Sequence, residues 1–168
     1  MTTASFGPRG LEQAPDRAQP YGHDAALGEV PVPWCRLQYL QPLGPAGGIN
    51  ANVHEIARYA LLQLGDGTMS GHQVLSAQMM AELHRPEIAV GTDWTPAART
   101  EDLHYALGGF VADVHGAHLV FHNGANPGFR AAIFVVPLSK AGVVVLTNGE
   151  SDRFTHAATR GLVERVLQ

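Results

Sequence analysis

One cysteine, Cys35, and one lysine, Lys140, occur in these 168 residues. A lone cysteine forms no intrachain disulfide and no thiolate metal cluster. No apolar run approaches the roughly 18 residues that a membrane helix needs. Positive charge is in the minority: 11 Lys+Arg against 15 Asp+Glu give a formal net charge of −4. A nucleic-acid binder presents a basic patch instead. Neither a nucleic-acid nor a membrane partner is therefore expected. Residues 1–10 lack the basic-then-apolar pattern of a secretory leader. Internal repeats and low-complexity tracts are absent too. What is there is an ordinary globular composition, 45% hydrophobic and 15% charged. The length suits one domain with a real core.

The stretch 117–148, AHLVFHNGANPGFRAAIFVVPLSKAGVVVLTN, carries the densest pattern. It reads as three strands, 119–121, 129–136 and 143–146. Two turns join them, Ala125-Asn126-Pro127-Gly128 and the six residues 137–142. The second run is apolar at both parities: Phe129, Ala131, Ile133 and Val135, but also Ala132, Phe134 and Val136. Such strands are covered on both faces. Short connections favour antiparallel pairing. The expected fold class is α+β, an antiparallel sheet flanked by helices. The polar triplet His122-Asn123-Gly124 leaves the first strand. Its glycine lets another backbone approach, so the triplet suits a substrate groove at a sheet edge. A histidine at a strand end is also, more plainly, a solvated or hydrogen-bonded residue.

Residues 1–46 carry seven prolines, and no helix of useful length fits; an extended, surface-wrapping segment is expected. Residues 47–103 form a helical part. Asn52 and Glu55 make a capping box. Val53, Ile56, Ala57, Ala60, Leu61 and Leu64 then follow helical spacing up to Gly65 or Gly67. Ser76 caps a second helix that stops before Pro86, with Met79, Met80 and Leu83 as apolar contacts. Residues 86–103 read as a loop containing Trp94-Thr95-Pro96. Residues 104–168 supply the strands and a last helix. Tyr105 to Val114 reads as a strand. Ser151 caps the helix over 152–167, with Phe154, Ala157, Ala158, Leu162 and Val166 near one side.

Taken in order, Pro45-Ala46-Gly47-Gly48-Ile49, the helix HEIARYALLQL, YALGGF, HNGANPGF and VVVLTNG carry a resemblance. The chain resembles the C-terminal part of the serine β-lactamase-like family of class C β-lactamases, D,D-peptidases and esterases. That family works by acyl transfer. A serine in S-x-x-K attacks a carbonyl, Y-x-N or S-x-N assists, and a K-T-G-type strand flanks the acyl group. The resemblance implies that His122-Asn123-Gly124 is the K-T-G equivalent. His122 would then offer a hydrogen-bond donor or positive charge, and Gly124 would permit close approach. The backbone N–H of Ala125 would be one of two oxyanion donors. One such donor is worth about 3 kcal/mol of transition-state stabilisation. No cofactor is implied.

The other two motifs do not occur. Three residues after Ser5, Ser70, Ser76, Ser139 and Ser151 stand Pro8, Gln73, Met79, Gly142 and Phe154. Two residues after Tyr21, Tyr39, Tyr59 and Tyr105 stand His23, Gln41, Leu61 and Leu107. S-x-N is absent as well. MTTASF resembles the family segment that follows Y-x-N, so Met1 would be an internal methionine of a longer protein. The expectation is a single partial domain: a serine-hydrolase fragment without its nucleophile, inactive alone. It would meet a small acyl substrate only with the other half present. By resemblance, 143–146 should pair with a strand preceding Met1, which leaves an edge for self-association. A non-enzymatic module reusing the half-fold is the alternative. A metal site at His115, His118 and His122 is the third reading. His118 and His122 would lie roughly 13 Å apart along a strand, too far to share one ion.

Overall fold

The computed structural model describes residues 3–33, 36, 41–91, 101–114 and 116–167. Trp94-Thr95-Pro96 and His115 lie outside the described residues. Short elements fill the first third. β1 (Ser5–Phe6) runs into α1 (Gly7–Gln13). The expectation of no helix before residue 47 fails at Pro8. Proline at the start of a helix lacks only an N–H that the first turn leaves unbonded anyway. β2 (Tyr21–Asp24) and β3 (Gly28–Pro31) form a hairpin. Its turn is held by the Asp24 carboxylate, which accepts from the N–H of Ala26 and of Leu27 at 2.8 and 2.9 Å. Those two bonds keep the carboxyl below its ordinary pKa. α2 (Gly44–Gly47) leads into β4 (Ile49–Asn50), which pairs with β1.

α3 (Val53–Leu64) starts where Asn52 caps it, the Asn52 side chain accepting from the Glu55 N–H at 3.0 Å. The Glu55 carboxylate accepts from Thr3 N–H at 2.8 Å, which ties the helix to the chain just ahead of β1. β5 (Thr68–Met69) and β6 (His72–Gln73) make a small hairpin. α4 (Ala77–Leu83) is capped by Ser76, as its sequence predicts. Only one of its methionines is inside: Met80 is buried, whereas Met79 is 54% exposed.

The rest of the chain builds one six-stranded antiparallel sheet. Its strands are β7 (Ile88–Ala89), β8 (Glu101–Tyr105), β9 (Phe110–Val114), β10 (Ala117–Asn126), β11 (Phe129–Val136) and β12 (Ala141–Thr147). They lie in the order β12-β11-β10-β9-β8-β7. The run from Tyr105 to Val114, expected as a single strand, holds the last residue of β8, a turn and the whole of β9, while 88–89 and 101–103, expected as loop, are strand. Gly108, at φ +90°, and Gly109 make that turn, and Ala106 N–H bonds Gly109 O at 2.7 Å. The β10–β11 turn is tighter than its sequence suggests, because Ala125 and Asn126 stay in the strand, opposite Arg130 and Phe129. Only Pro127 and Gly128 turn. Gly128 has φ +76°, and a Cβ there would lie 2.2 Å from Pro20 Cβ and 2.9 Å from Pro20 backbone. A side chain at 128 is therefore excluded twice, by conformation and by space.

Both faces of the sheet are covered. A Cβ on Gly142 would touch Ala60 and Leu64, so the face of Gly142, Val135, Ile133 and His122 looks toward α3. The opposite face holds the core: Leu119, Phe121, Ala132, Phe134 and Val136, packed with Val163 of α5 (Asp152–Val166). α5 is capped by Ser151, as expected, but buries a different face. Thr155, Thr159 and Val163 are inside, while Phe154 and Leu162 are 59% and 45% exposed. The threonines bury without cost in lost bonds because each hydroxyl donates to the carbonyl four residues back. Thr155 bonds Ser151 O at 3.1 Å and Thr159 bonds Thr155 O at 2.6 Å. Small β-branched residues also fit closely on a sheet.

Candidate active-site wall

The register of two hairpins decides what β10 presents. In an antiparallel ladder, residues alternate between bonding one neighbour and the other. The β10–β11 hairpin closes on the pair Asn126 and Phe129 across two turn residues, so Asn126, Gly124 and His122 bond β11. The β9–β10 hairpin closes on Val114 and Ala117, so Ala117, Leu119 and Phe121 bond β9. The two derivations agree. β9 begins at Phe110, opposite Phe121, and pairs no further along β10. From residue 123 onward no strand among the described residues lies on the second side of β10. The N–H and C=O of Asn123 and Ala125 therefore point out of the sheet edge. Gly124 and Ala125 are exposed there. The Ala125 N–H is thus an outward donor, through a geometry that the sequence alone does not contain.

The four residues singled out in the sequence are consecutive on this stretch. His122 and Gly124 share the α3-facing side. Gly124 is tight against β11, since a Cβ would lie 3.3 Å from Ala131 Cβ. Asn123 points to the other side, and its Oδ1 is buried with no hydrogen-bond partner among the described residues. The His122 ring is held from both ends. Its Nδ1 bonds the outward carbonyl of Asn123, and its Nε2 meets Tyr105 Oη at 3.2 Å. Tyr105 was no sequence candidate. It lies seventeen residues and two strands away, and nothing in YALGGF marks its hydroxyl.

Below His122, between α3, α4 and the sheet, lies a small open hollow with room for about 50 Å³. Tyr59, Gln63, His84, Gly109, His122 and Ile133 are among the residues lining it. His84 Nε2 bonds Gln63 Oε1. Burial holds the His84 imidazole below its ordinary pKa; nearby His118 adds to this and Asp66 opposes it. Burial likewise pushes the Tyr59 phenol up, against a hydrogen bond to Gln63. The other end of the edge is pinned as well. Asn126 Nδ2 donates to Gly47 O at 3.3 Å, which brings the PAGGI segment to the hairpin. Gly128 N–H donates to Glu150 Oε1 at 2.8 Å, and Arg130 Nε to Asp152 Oδ1 at 2.6 Å.

No serine lines the hollow among the described residues. Ser76 and Ser151 are spent as helix caps. Ser139 and Lys140 sit in the β11–β12 turn, with Lys140 at φ +48°. Among the described residues no three His, Cys, Asp or Glu gather as metal ligands. His118 pairs with Asp113 at 3.3 Å instead. No described helix is long and apolar enough to cross a membrane.

A model of the Beta-lactamase family matches residues 1–167. The chain belongs to that family. Solved structures share the fold of this Beta-lactamase family chain at low identity. The octameric penicillin-binding protein homologue from Pyrococcus abyssi superposes with a TM-score of 0.69 at 22% identity, over 86% of this chain and 30% of its own. A penicillin binding protein from Bacillus halodurans gives 0.71 at 17%, over 95% and 44%. The D-amino acid amidase from Ochrobactrum anthropi SV3, complexed with D-phenylalanine, gives 0.62 at 18%, over 99% and 49%. The chain thus spans less than half the length of each. No curated protein matches the sequence. The α+β fold of antiparallel sheet and flanking helices expected from the sequence is the fold found.

Proposed function

We propose that this chain is the substrate-wall portion of a serine hydrolase that cleaves an ester or amide through a serine acyl-enzyme. The single observation that carries the reading is the unpaired stretch of β10, which turns the Ala125 N–H outward beside His122 and Gly124. A preorganised N–H at an exposed strand edge is what a developing oxyanion needs. The S-x-x-K nucleophile is absent from these residues. The reacting serine belongs to the family portion that this chain does not span, and the chain alone does no acyl chemistry. Its ligand is a small acyl compound, met only with that portion in place.

The test uses the purified chain with nitrocefin, p-nitrophenyl esters and a fluorophosphonate probe. The expected result is turnover at background and no stoichiometric labelling. Stoichiometric labelling of any one of the five serines would overturn the reading.

We propose further that the outer edge of β12 takes another polypeptide. Among the described residues β12 ends the strand order, and it holds no proline and no charge over AGVVVLT. Such an edge templates pairing with a second chain. α5, which packs on β12, also leaves Phe154 and Leu162 exposed. Size-exclusion chromatography with light scattering should give a dimer or larger species for the chain alone. A soluble monomer with a sharp, cooperative thermal transition would contradict this and favour an autonomous binding module.

A further inference from the structure

β9 stops covering β10 at Phe121, and the next residue is His122. At that step the Tyr105 side chain, from the end of β8, reaches across Phe110 to the His122 ring. The Tyr105 and Phe110 rings meet edge to face with centroids 4.8 Å apart. Phe110 is also 5.5 Å from the imidazole, and the Tyr105 hydroxyl lies 3.2 Å from Nε2. The chemistry of the partners fixes the proton. Asn123 O is a carbonyl and can only accept, so Nδ1 carries hydrogen. A neutral imidazole has one N–H, so Nε2 is left as an acceptor, and the Tyr105 O–H donates to it.

We infer that Tyr105 is a positioning residue that holds His122 in its Nδ1–H form, so that His122 closes the outward carbonyl of Asn123. The inference rests on the strand edge being the acyl site proposed above. Its consequence for that site is specific. Of the four outward backbone groups at residues 123 and 125, one carbonyl already accepts a bond from the protein itself, which leaves it one lone pair. That weakens the edge as an acceptor and keeps both N–H groups as donors, which suits an incoming carbonyl or oxyanion. Without the phenol, the ring keeps one anchor instead of two, and Nε2 faces water, where the Nε2–H form becomes accessible.

The test is long-range proton–nitrogen NMR of the histidine-labelled chain, wild type and Tyr105→Phe. Phenylalanine keeps the ring against Phe110 and removes only the hydroxyl. In the wild type we expect a pyrrole-like Nδ1 and a pyridine-like Nε2 at His122, with an observable Nδ1–H proton. In Tyr105→Phe both nitrogens should shift toward an averaged value, and the Nδ1–H signal should be lost to exchange with water. An unchanged His122 pattern in Tyr105→Phe would overturn the inference. So would an Nε2–H form in the wild type, a result that needs no variant to fold. The spectra are read on the chain alone, so failure of the acyl reading leaves the tautomer result standing.

Discussion

Phe134→Ala should cost about 3–5 kcal/mol of folding stability, the range for emptying a buried aromatic site. Phe134 is 2% exposed and lies at the centre of the α5-facing core. It stacks on Phe121 with centroids 4.8 Å apart and planes 1° apart, and Phe121 stacks on Phe110 at 5.3 Å. The row crosses three strands in register, so removing its end ring leaves a cavity that β-sheet backbone cannot close. Domains of this size hold roughly 5–15 kcal/mol in all. The loss should lower the melting temperature by roughly 6 to 20 °C. Thermal and urea melts read it directly. A change below about 1 kcal/mol would mean that the core sits elsewhere. Phe121 would move with it, and through Phe121 the strand that carries His122.

Ala125→Pro should abolish most acyl chemistry while sparing the fold. The assay requires an assembly of this chain with a family half that carries S-x-x-K and Y-x-N. Proline removes one N–H, and at residue 125 that N–H points away from the ladder, where proline is tolerated. Loss of one oxyanion donor costs about 10²–10³ in kcat. His122→Ala in the same assembly leaves the Asn123 carbonyl open beside the proposed acyl site and should lower kcat/KM by about tenfold or more. The proline variant is the sharper one, because it replaces the N–H itself with a ring carbon at the place proposed for the acyl oxygen. Unaltered turnover in Ala125→Pro would remove Ala125 from the oxyanion site. Unaltered turnover in His122→Ala would leave His122 a strand-end residue.

Much of the frame is legible in residue order. Asn52, Ser76 and Ser151 announce their helices, because a short polar side chain before an apolar period has few other uses. The apolar runs at both parities announce a sheet covered on both faces. Three things escape that reading, each for a physical reason. Periodicity marks a helix face only where burial follows hydrophobicity, and α5 buries threonines whose hydroxyls are satisfied within the helix. Phe154 therefore looks internal in the sequence and is exposed in the fold. Tyr105 to Val114 looks like one strand, because Gly108 and Gly109 interrupt neither hydrophobicity nor length. The proton on His122 depends on a hydroxyl two strands away. The outward turn of Ala125 depends on the phase of two hairpins at once, which composition does not encode. The triplet His122-Asn123-Gly124 and its place at a sheet edge are legible in the sequence, but not which backbone groups of that edge stay unpaired.

Amide hydrogen exchange along β10, resolved residue by residue in the chain alone, tests that edge most directly. The account predicts an alternation: slow exchange at His122, Gly124 and Asn126, whose N–H groups bond β11, and fast exchange at Asn123 and Ala125, whose N–H groups face outward. Protection of Ala125 comparable to that of Gly124 would contradict it, because the donor offered to an acyl oxygen would then already be bonded within the protein.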